Sequence, residues 1–589
     1  MTELDPITVE VIRNALLTAA QEMKAVVVRT AYSTLWREAG DLSCGLLTSN
    51  CEIVAQGAGD IPVHLGTMPI SARGCVDGIR EPIVDGDILF CNDPYSGNNH
   101  LPDFLMLKPV FAGTTLLGYA AVRGHYVDIG GHSPGSHSAF AHDIYAEGLR
   151  YPPMKLYRTG VRNEELVTIL QANTRGAQER LGDLAAQYAG CLMGERRLQA
   201  LAKKYGAETV VATMERVLDD SEREMRRQIT TLPPGTYRFT DWCDNDGVTT
   251  EPIRIQVAVM VEGDKVSVDF EGSGPQVRGA VNCPIAVTSS ATYYAFKCLL
   301  DPLNPANSGQ YRPVEIRAPL GSILNCTPPA PVILGNTETA YRIVDAILGA
   351  MADVVPDRVV AAGSGSATTY IIAGNDSRPE RAGRHFIYLE PHGSGHGASR
   401  DRDGTSGTRV GVGNTGNTST EGVEINFPLR VEAYELLTDV GGAGRRRGGC
   451  SVRHRIRFQT PVSVVMCSER TKFPPYGLDG ARPGAKARVT LEVPGKPIQV
   501  LGSKTDSIHC PADSVIEVRA AGGGGYGDPR TREPELVAAD VMDDYVSWRE
   551  AERSYGVKLA PDVRGGYDAT RASRTRRRPV APKKGRRKP

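Results

Sequence analysis

Hydrophobic positions near the N-terminus of the chain recur at the three- and four-residue spacing of an α-helix. Asp5 and Pro6 are the residue types favoured at a helix N-cap and at the first helical position. An apolar stripe then continues to about Thr30 through Ile12, Leu16, Ala19, Met23, Val26 and Val27. We therefore predict a long helix that packs through one face.

Short apolar runs come after this helix, from Asp41 to about Asp128. Gly, Pro, Asn and Asp separate them, which is typical of strands joined by tight loops. The predicted strands are Cys44–Leu47, Ile53–Ala55, Ile88–Cys91, Leu105–Val110 and Leu117–Val122. Helical spacing returns from about Asn163 to Met225, so a helical segment is expected to close this first unit.

The pattern changes after Pro233-Pro234-Gly235, and we place a domain boundary near residue 232. Beyond this boundary most apolar runs predict strands: Tyr237–Asp241, Ile253–Val261, Val266–Phe270, His385–Leu389, Leu429–Ala433, Val452–Phe458, Val489–Val493 and Val515–Val518. Two helices are expected to interrupt them, at about Val287–Leu300 and Asn336–Val354, the second ended by Pro356. A last helix is predicted to begin at Ser547 and stop at Gly556.

Composition bounds the class of protein. The chain has 589 residues, 68 Lys and Arg against 68 Asp and Glu, and 41% hydrophobic residues. These values favour a multi-domain globular protein. No stretch approaches the ~18 to 20 apolar residues of a membrane helix, and the first residues lack a secretory pattern, so we expect a cytoplasmic protein without membrane contact.

The balance of charge conceals a basic C-terminus. Arg571 to Pro589 holds ten basic residues and no acidic ones, which leaves 58 basic against 68 acidic residues elsewhere, or about −10. An acidic body makes specific nucleic-acid binding by the fold improbable. We expect residues 563–589 to form a disordered tail.

The 12 cysteines include no Cys-x-x-Cys pair. This spacing argues against a zinc ribbon, a thioredoxin-like site or a disulfide framework, and favours buried reduced thiols. The Gly-rich runs lack the Gly-Lys-Ser/Thr continuation of a phosphate loop, and the glycines around Ser394 do not have the Gly-x-Ser-x-Gly spacing of a hydrolase nucleophile. We therefore expect neither an ATP site nor a serine nucleophile in this chain.

Histidine is the residue type that points to chemistry. Six of the 11 histidines fall within residues 64–142, a 79-residue stretch also rich in Asp, Gly and Pro. His100, Asp103 and His125, joined by Asp41, would form a set of two imidazoles and two carboxylates suited to Zn²⁺, Mn²⁺ or Fe²⁺. Spacing alone leaves open the alternative that these histidines cap loops.

Three further residues are candidates for supporting roles. Asp128 and His132 are expected either to orient the ligands or to be plain turn residues. Glu147 offers a carboxylate for acid–base chemistry or substrate binding, with a structural role as the alternative.

Several ordered motifs resemble the hydantoinase B/oxoprolinase family, over nearly everything from Pro6 to Val557. They are Asp41-Leu42-Ser43-Cys44, Asn92-Asp93-Pro94-Tyr95, His100-Leu101-Pro102-Asp103, Arg123-Gly124-His125-Tyr126-Val127-Asp128, Glu147-Gly148-Leu149, Gly279-Ala280-Val281-Asn282-Cys283-Pro284, Gly416-Asn417-Thr418-Ser419-Thr420-Glu421, Gly522-Gly523-Gly524-Gly525-Tyr526-Gly527-Asp528-Pro529 and Tyr555-Gly556-Val557.

The resemblance implies a subunit of an ATP-dependent hydrolase of cyclic amides, such as hydantoins, 5-oxoproline or lactams. It implies one divalent metal on Asp41, His100, Asp103 and His125. It also implies an A-type partner that binds ATP and Mg²⁺ and phosphorylates the amide, within a hetero-oligomer. Related carboxylases of acetone and acetophenone make a carboxylase subunit the first alternative, and a non-catalytic scaffold is the second.

The resulting expectation is an α+β fold in four parts. Residues 1–232 form a metal-bearing helix-and-strand unit, and residues 233–540 form a β-rich region with two interrupting helices. Residues 541–562 hold the last helix and residues 563–589 the basic tail.

Overall fold

The computed structural model describes residues 4–57, 59–409, 411–561 and 567–574. Helices and several separate sheets confirm the predicted α+β class. The described helices are α1 Pro6–Thr30, α2 Thr34–Arg37, α3 Pro62–Gly78, α4 Glu164–Asn173, α5 Ala177–Tyr205, α6 Ala207–Ile229, α7 Ile285–Leu300, α8 Ala340–Met351, α9 Thr420–Asn426, α10 Pro534–Met542 and α11 Trp548–Glu550.

Helix α1 confirms the prediction made from its cap and its stripe. The Asp5 side chain accepts a hydrogen bond from the backbone N–H of Thr8 at 3.0 Å. Its buried residues are Ile12, Leu16, Ala19, Ala20, Met23 and Val27, and this face packs on α5. The cap satisfies one of the N–H groups that every helix start leaves unpaired, so the helix begins where the sequence indicates.

The first sheet contains all five strands predicted between Asp41 and Asp128. Its strands are β1 Leu42–Leu47, β2 Ile53–Gln56, β3 Ile88–Cys91, β4 Asp103–Ala112, β5 Thr115–His125, β6 Met154–Arg158 and β7 Val161–Arg162. They lie in the order β2-β1-β5-β4-β3-β6-β7, with antiparallel neighbours. The long β4–β5 hairpin forms the centre of the sheet.

Helix α3 lies within the region expected to hold only strands. It contains Gly66, Gly74, Gly78 and Pro69, which are poor helix formers, so local propensity does not indicate it. Tertiary packing decides the conformation instead, because α3 lies directly against α7. At Gly66 an added Cβ would lie only 2.7 Å from the Cα of Ser290 on α7, so glycine is needed for this close approach.

The segment expected to be helical from Asn163 to Met225 forms α4, α5 and α6. Asn163 caps α4, and Gly206 separates α5 from α6. Helix α5 packs on the β4–β5 hairpin as well as on α1, so it covers one face of the first sheet.

Three further sheets make up most of the remaining chain. The second, ordered β11-β10-β9-β8, contains β8 Gly235–Cys243, β9 Ile253–Glu262, β10 Lys265–Asp269 and β11 Val314–Arg317. The third, ordered β13-β12-β16-β19, contains β12 Thr369–Asn375, β13 His385–Pro391, β16 Val462–Cys467 and β19 Ile508–Cys510. The fourth, ordered β14-β15-β20-β17-β18, contains β14 Leu429–Leu436, β15 Val452–Phe458, β17 Arg488–Glu492, β18 Gln499–Val500 and β20 Val515–Arg519.

Helices α7 and α8 occupy the two positions predicted between these strands. A π-helical turn, Gly335–Thr339, leads into α8, so the predicted helix from Asn336 has a different geometry in its first turn. Ile343, Ile347 and Met351 are buried as expected. Short π-helical turns are frequent at functional sites.

One hydrophobic core spans the first unit and the region after residue 232. It contains Leu16, Phe104 and Leu232 together with Val257 and Ile347. A separate core lies between the third and fourth sheets. All 12 cysteines are free thiols and 11 of them are buried, which confirms that the described part of the chain contains no disulfide.

A group of charged side chains is buried beside α8, and we call it the charged cluster. It links β8, α8 and the segments that come after β16, and consists of Asp241, Arg342, Asp345, Glu469, Arg470 and Lys504. Arg470 Nη2 lies 2.5 Å from Asp345 Oδ2, and Lys504 Nζ lies 2.5 Å from Glu469 Oε1. These ion pairs tie three separate stretches of chain together.

The C-terminal region keeps its predicted cap and end. The Ser547 side chain accepts from the N–H of Glu550, and a π-helical turn continues α11 to Tyr555 before Gly556 ends it in the left-handed conformation. Strand β21 Val557–Pro561 pairs with β22 Tyr567–Arg574, so part of the expected disordered tail is a strand. Residues 563–566 and 575–589 of that tail lie outside the described residues. Within the described residues, no helix is both long and apolar enough to cross a bilayer.

Candidate metal centre

The β4–β5 hairpin brings together the first two candidate ligands. Asp103 begins β4, His125 ends β5, and the two residues are directly opposite each other in the antiparallel register. His100 lies in the turn before β4, three residues before Asp103. Residues opposite on one face of a hairpin have Cβ atoms only ~5 Å apart, so the strand pairing itself places the two side chains in contact.

Three polar side chains meet at this end of the hairpin. His100 Nε2 lies 3.1 Å from Asp103 Oδ2, and His125 Nδ1 lies 3.0 Å from Asp103 Oδ1. His100 Nε2 and His125 Nδ1 are 3.2 Å apart. All three residues are buried.

His64 joins this group, although the sequence prediction did not include it among the ligands. It lies near the start of α3, and its Nε2 is 3.1 Å from Asp103 Oδ2. Its Nδ1 lies 3.2 Å from the Ser43 hydroxyl on β1. The available signal was its membership of the histidine-rich stretch, but the unpredicted helix α3 hid its position. We call His64, His100, Asp103 and His125 the imidazole cluster.

Residues far along the chain orient His100. Its Nδ1 lies 3.0 Å from the carbonyl oxygen of Ile333, to which it can donate, leaving the Nε2 lone pair facing Asp103. The Glu147 carboxylate accepts from the N–H groups of Val332 and Ile333 at 2.6 and 2.8 Å. Burial raises the pKa of Glu147 well above its usual range. Glu147 therefore supports the backbone segment that holds His100.

Asp41 lies at the same cleft but outside the tight group. Its backbone carbonyl accepts from the N–H of His125 at 3.2 Å, which ties it to the end of β5. In the described part of the chain, the donor atoms of His100, Asp103 and His125 all lie within 4.8 Å of one another, and Asp41 is not one of this group. Its side chain nevertheless lines the cleft.

His137 is a fourth imidazole beside the cleft. Its ring centroid lies 5.6 Å from that of His125, and its side chain is buried. Burial, with His125 nearby, lowers the pKa of His137 to about 3, so this ring is neutral at pH 7.

Asp128 and His132 have different positions. The Asp128 carboxylate accepts from the N–H groups of Gly130 and Gly135 at 2.9 Å and pairs with Arg175 at 3.0 Å, so it organises the loop that carries His137. The His132 side chain is 59% exposed and lies 3.6 Å from Asp506. The structure therefore does not bring His132 to the imidazole cluster.

The electrostatics of the cluster fit a divalent cation. Burial alone would raise the pKa of Asp103, but His100, His64 and His125 hold it well below its usual range, so a carboxylate anion is buried among imidazoles. His125 Nε2 is buried without a hydrogen-bond partner among the described residues. Donor atoms held ~2.1 Å from one ion are ~3.0 to 3.4 Å apart, and the separations here match that range.

The opposite wall of the cleft comes from the second half of the chain. The cleft has a volume of about 40 Å³. Asn336, in the π-helical turn, places its Nδ2 3.4 Å from His100 Nε2, while its Oδ1 is buried and has no hydrogen-bond partner in the described chain. Other residues lining this wall are Thr337, Tyr341, Thr369, Arg409 and Thr415. The cleft is therefore completed only when both halves of the chain meet.

Comparison with known proteins matches this architecture to a family. The model of the Hydantoinase B/oxoprolinase family covers residues 5–529. The chain belongs to the hydantoinase B/oxoprolinase family. Its caprolactamase relative, the subunit beta from Pseudomonas jessenii, is 34% identical, and the match covers 98% of this chain and 100% of that protein.

Two solved structures share the fold of this hydantoinase B/oxoprolinase family chain. The ATP-dependent caprolactamase from Pseudomonas jessenii superposes with a TM-score of 0.88 at 31% identity, over 97% of this chain and 99% of that one. A nucleotide-free acetone carboxylase gives the same TM-score of 0.88 at 19% identity, over 96% of this chain and 81% of that one. The second likeness shows the fold alone.

Proposed function

We propose that this chain is the metal-bearing subunit of an ATP-dependent hydrolase of cyclic amides. The observation that carries the proposal is the buried set of His100, Asp103 and His125, whose donor atoms lie within 4.8 Å of one another. Asp41 is the proposed fourth ligand, from the same cleft. Neutral imidazole and carboxylate donors suit Zn²⁺, Mn²⁺ or Fe²⁺.

The bound ion would supply Lewis acidity, which makes water a strong enough nucleophile near neutral pH. This chain's residues would do the rest. The Ile333 carbonyl holds the proton of His100 at Nδ1, so Nε2 remains a donor of electrons to the ion. Asp103, fixed by His64 and by Asn99 Nδ2 at 2.5 Å, keeps its charge at the centre.

Asn336 is the proposed contact for the amide of the substrate. A secondary amide presents one acceptor and one donor, and the Asn336 side chain presents the complementary pair. Its Oδ1 lacks a partner among the described residues, and its Nδ2 already points toward His100. An amide bound there would lie beside the imidazole cluster.

Activation of the amide is assigned to a partner. We propose that an A-type subunit binds ATP and Mg²⁺ and phosphorylates the amide oxygen, which makes the ring carbon more electrophilic. The caprolactamase that shares this fold is ATP-dependent, and its similar chain is named subunit beta. We propose that the two subunits form a hetero-oligomer in the cytoplasm, where ATP is available.

Metal content per chain tests the proposal, with elemental mass spectrometry on the complex of this chain and its A-type partner. We expect about one ion per wild-type chain, and loss of the ion and of ATP-dependent ring opening in His100→Ala, because a three- or four-ligand site loses one donor. His132→Ala is the matched control, since His132 is exposed and outside the cluster. Metal-free wild-type protein with full turnover would refute the proposal and leave a scaffold role.

A requirement for bicarbonate separates the hydrolase from the carboxylase alternative. We expect ring opening of lactams or hydantoins with ATP in bicarbonate-free buffer. The higher identity to the caprolactamase, 31% against 19% for the carboxylase, favours the hydrolase. A product that gains carbon only when bicarbonate is present would assign the chain to the carboxylases instead.

A further inference from the structure

A second cavity, distinct from the metal cleft, lies where α5 begins. It has a volume of about 180 Å³. Its walls come from the turn before α2, the start of α5, the β12–β13 hairpin and the end of α9. We call it the arginine pocket.

The lining is strongly basic. Five arginines line the pocket against two carboxylates, which gives the lining a formal charge of +3. The arginines are Arg37, Arg175, Arg180, Arg381 and Arg384, and the carboxylates are Glu179 and Asp376. Two lining charges are already paired outside the lining, Asp376 with Arg378 at 2.6 Å and Arg175 with Asp128 at 3.0 Å, so Glu179 is the acid that competes for the remaining arginines. Such an excess of guanidinium groups favours an anionic ligand.

One of these arginines is buried with unused hydrogen-bonding capacity. Arg180 is only 1% exposed, and its Nη2 pairs with Glu179 at 3.0 Å. Its Nε has no hydrogen-bond partner among the described residues. A buried guanidinium group favours an anion close to it.

The backbone at the start of α5 also contributes positive charge to the pocket. Helix α5 is 29 residues long and begins at Ala177, directly after Gly176, which lines the pocket. In the described structure no side chain caps this start. The first turn of a helix presents unpaired N–H groups and the positive end of the helix dipole, which together bind phosphate groups well.

We propose that the arginine pocket binds a phosphate-bearing small molecule. The guanidinium groups and the start of α5 would hold the phosphate, and Tyr32, Phe386 and Phe427 in the same lining would contact an organic portion. Free phosphate and the phosphates of a nucleotide share this chemistry. The inference goes beyond the proposed function and does not depend on the metal centre.

Isothermal titration calorimetry on the full-length chain tests the pocket, with inorganic phosphate and ADP as probes at constant ionic strength. We expect Arg381→Gln and Arg384→Gln each to weaken binding about 10-fold, because each removes a charged donor. Arg317→Gln is the matched control, since Arg317 is exposed at the end of β11 and outside the lining. Its affinity is expected to stay within about twofold of wild type.

Glu179→Gln gives a result in the opposite direction. Glu179 pairs with Arg180 at 3.0 Å and with Arg384 at 3.3 Å, so removing its charge frees both guanidinium groups for the ligand. We expect binding to strengthen about threefold or more, a gain that a misfolded variant would not show. This change remains informative if Arg381→Gln or Arg384→Gln fails to fold.

The two probes identify the source of the phosphate. Tighter binding of ADP than of phosphate, weakened in the same variants, indicates a nucleotide, whereas binding of phosphate alone indicates the free ion. Either result supports the pocket. Absence of binding by both probes, or equal affinity in wild type, Arg381→Gln and Arg384→Gln, would overturn the proposal.

Discussion

The imidazole cluster and the charged cluster both bury carboxylates, yet they surround them differently. Asp103 lies among three imidazoles and beside a cleft, whereas Glu469 and Asp345 lie against a lysine and arginines that carry permanent charge. Imidazoles leave the Asp103 charge uncompensated unless they are protonated or a cation is bound. Buried ions that face permanently charged partners hold a fold together, whereas a buried anion among imidazoles beside a cleft marks a place for a ligand.

The pKa directions support this contrast. Burial alone would lower the pKa of Lys504, but Glu469 and Glu338 raise it, so the ammonium group remains charged. The two clusters also differ in hydrogen bonding. His125 Nε2 has no hydrogen-bond partner among the described residues, whereas Lys504 Nζ donates to both Glu469 Oε1 and the carbonyl oxygen of Ser468. Four substitutions test this difference between the two clusters.

The largest effect is expected from Asp103→Asn, which keeps the shape of the side chain and removes its charge. We expect a loss of turnover of ~10³-fold or more, with metal content reduced, because the substitution deletes an anionic ligand. Steady-state kinetics with ATP and a cyclic amide, together with elemental analysis, measure both. Thermal stability close to wild type would show that Asp103 serves the site; a large fall in stability with metal retained would place it with the charged cluster instead.

Lys504→Met should have the reverse effect, a loss of stability without a loss of metal. It leaves Glu469 buried opposite an apolar side chain, and breaking a buried pair in this way costs ~3–5 kcal/mol. We expect a lower midpoint of thermal unfolding with metal content unchanged. The double substitution Lys504→Met with Glu469→Gln should recover much of the loss, and failure to recover would mean that the ion pair is not the cause.

Glu338→Gln tests a carboxyl that lies between the two clusters. Glu338 is fully buried, both oxygens lack hydrogen-bond partners among the described residues, and burial raises its pKa from 4.5 to about 8. The folded protein therefore keeps a proton that the unfolded chain loses, so wild-type stability falls as pH rises from about 4.5 to 8.

Glutamine mimics the protonated form and removes this dependence. The stability advantage of Glu338→Gln over wild type should grow by ~1.4 kcal/mol for each pH unit across that window and level off above it. Unfolding midpoints measured at several pH values give the comparison. A constant difference between the two proteins at all pH values would show that Glu338 is ionised in the fold.

Gly66→Ala is expected to have the smallest effect. It tests whether the close α3–α7 contact positions His64 beside Asp103. The new Cβ would press on Ser290 and move α3 away from α7, at a cost of ~1–3 kcal/mol. We expect a modestly lower unfolding midpoint and reduced turnover. Gly502→Ala is the control, because its Cβ would meet its nearest neighbour, the Lys504 carbonyl oxygen, at 3.5 Å, an ordinary contact. Equal effects of the two substitutions would contradict this role of the α3–α7 contact.

Local signals in the sequence predicted the parts of the site that depend on neighbouring residues. The Asp5 cap and the two apolar runs that become β4 and β5 were predicted, whereas the pairing of Asp103 with His125 is given only by the strand register of the structure. Helix α3 was missed because its glycines oppose helix formation, and its contact with α7 joins segments more than 200 residues apart. His64 was missed for the same reason.

The arginine pocket and the far wall of the cleft were also beyond local signals. Ile333, Asn336 and Arg180 carry no spacing pattern, and they acquire their roles only through contacts with distant segments. The histidine-rich stretch named Asp41, His100, Asp103 and His125 as candidate ligands, and the family resemblance favoured them over the alternative that the histidines cap loops. Periodicity reports which face of an element is buried, but not which elements meet across that face.

The hydrogen bond from His100 to the Ile333 carbonyl sets an order of events during synthesis. His100 leaves the ribosome long before Ile333, and the cleft wall is complete only after Thr415 has been made. A nascent chain of 232 residues would present its imidazoles without the carbonyl that orients them. At ~5–20 residues per second, the ribosome needs about ten seconds or more to pass from His100 to Ile333. The proposed ion is therefore expected to bind its correctly oriented ligands only after the two halves of the chain have met.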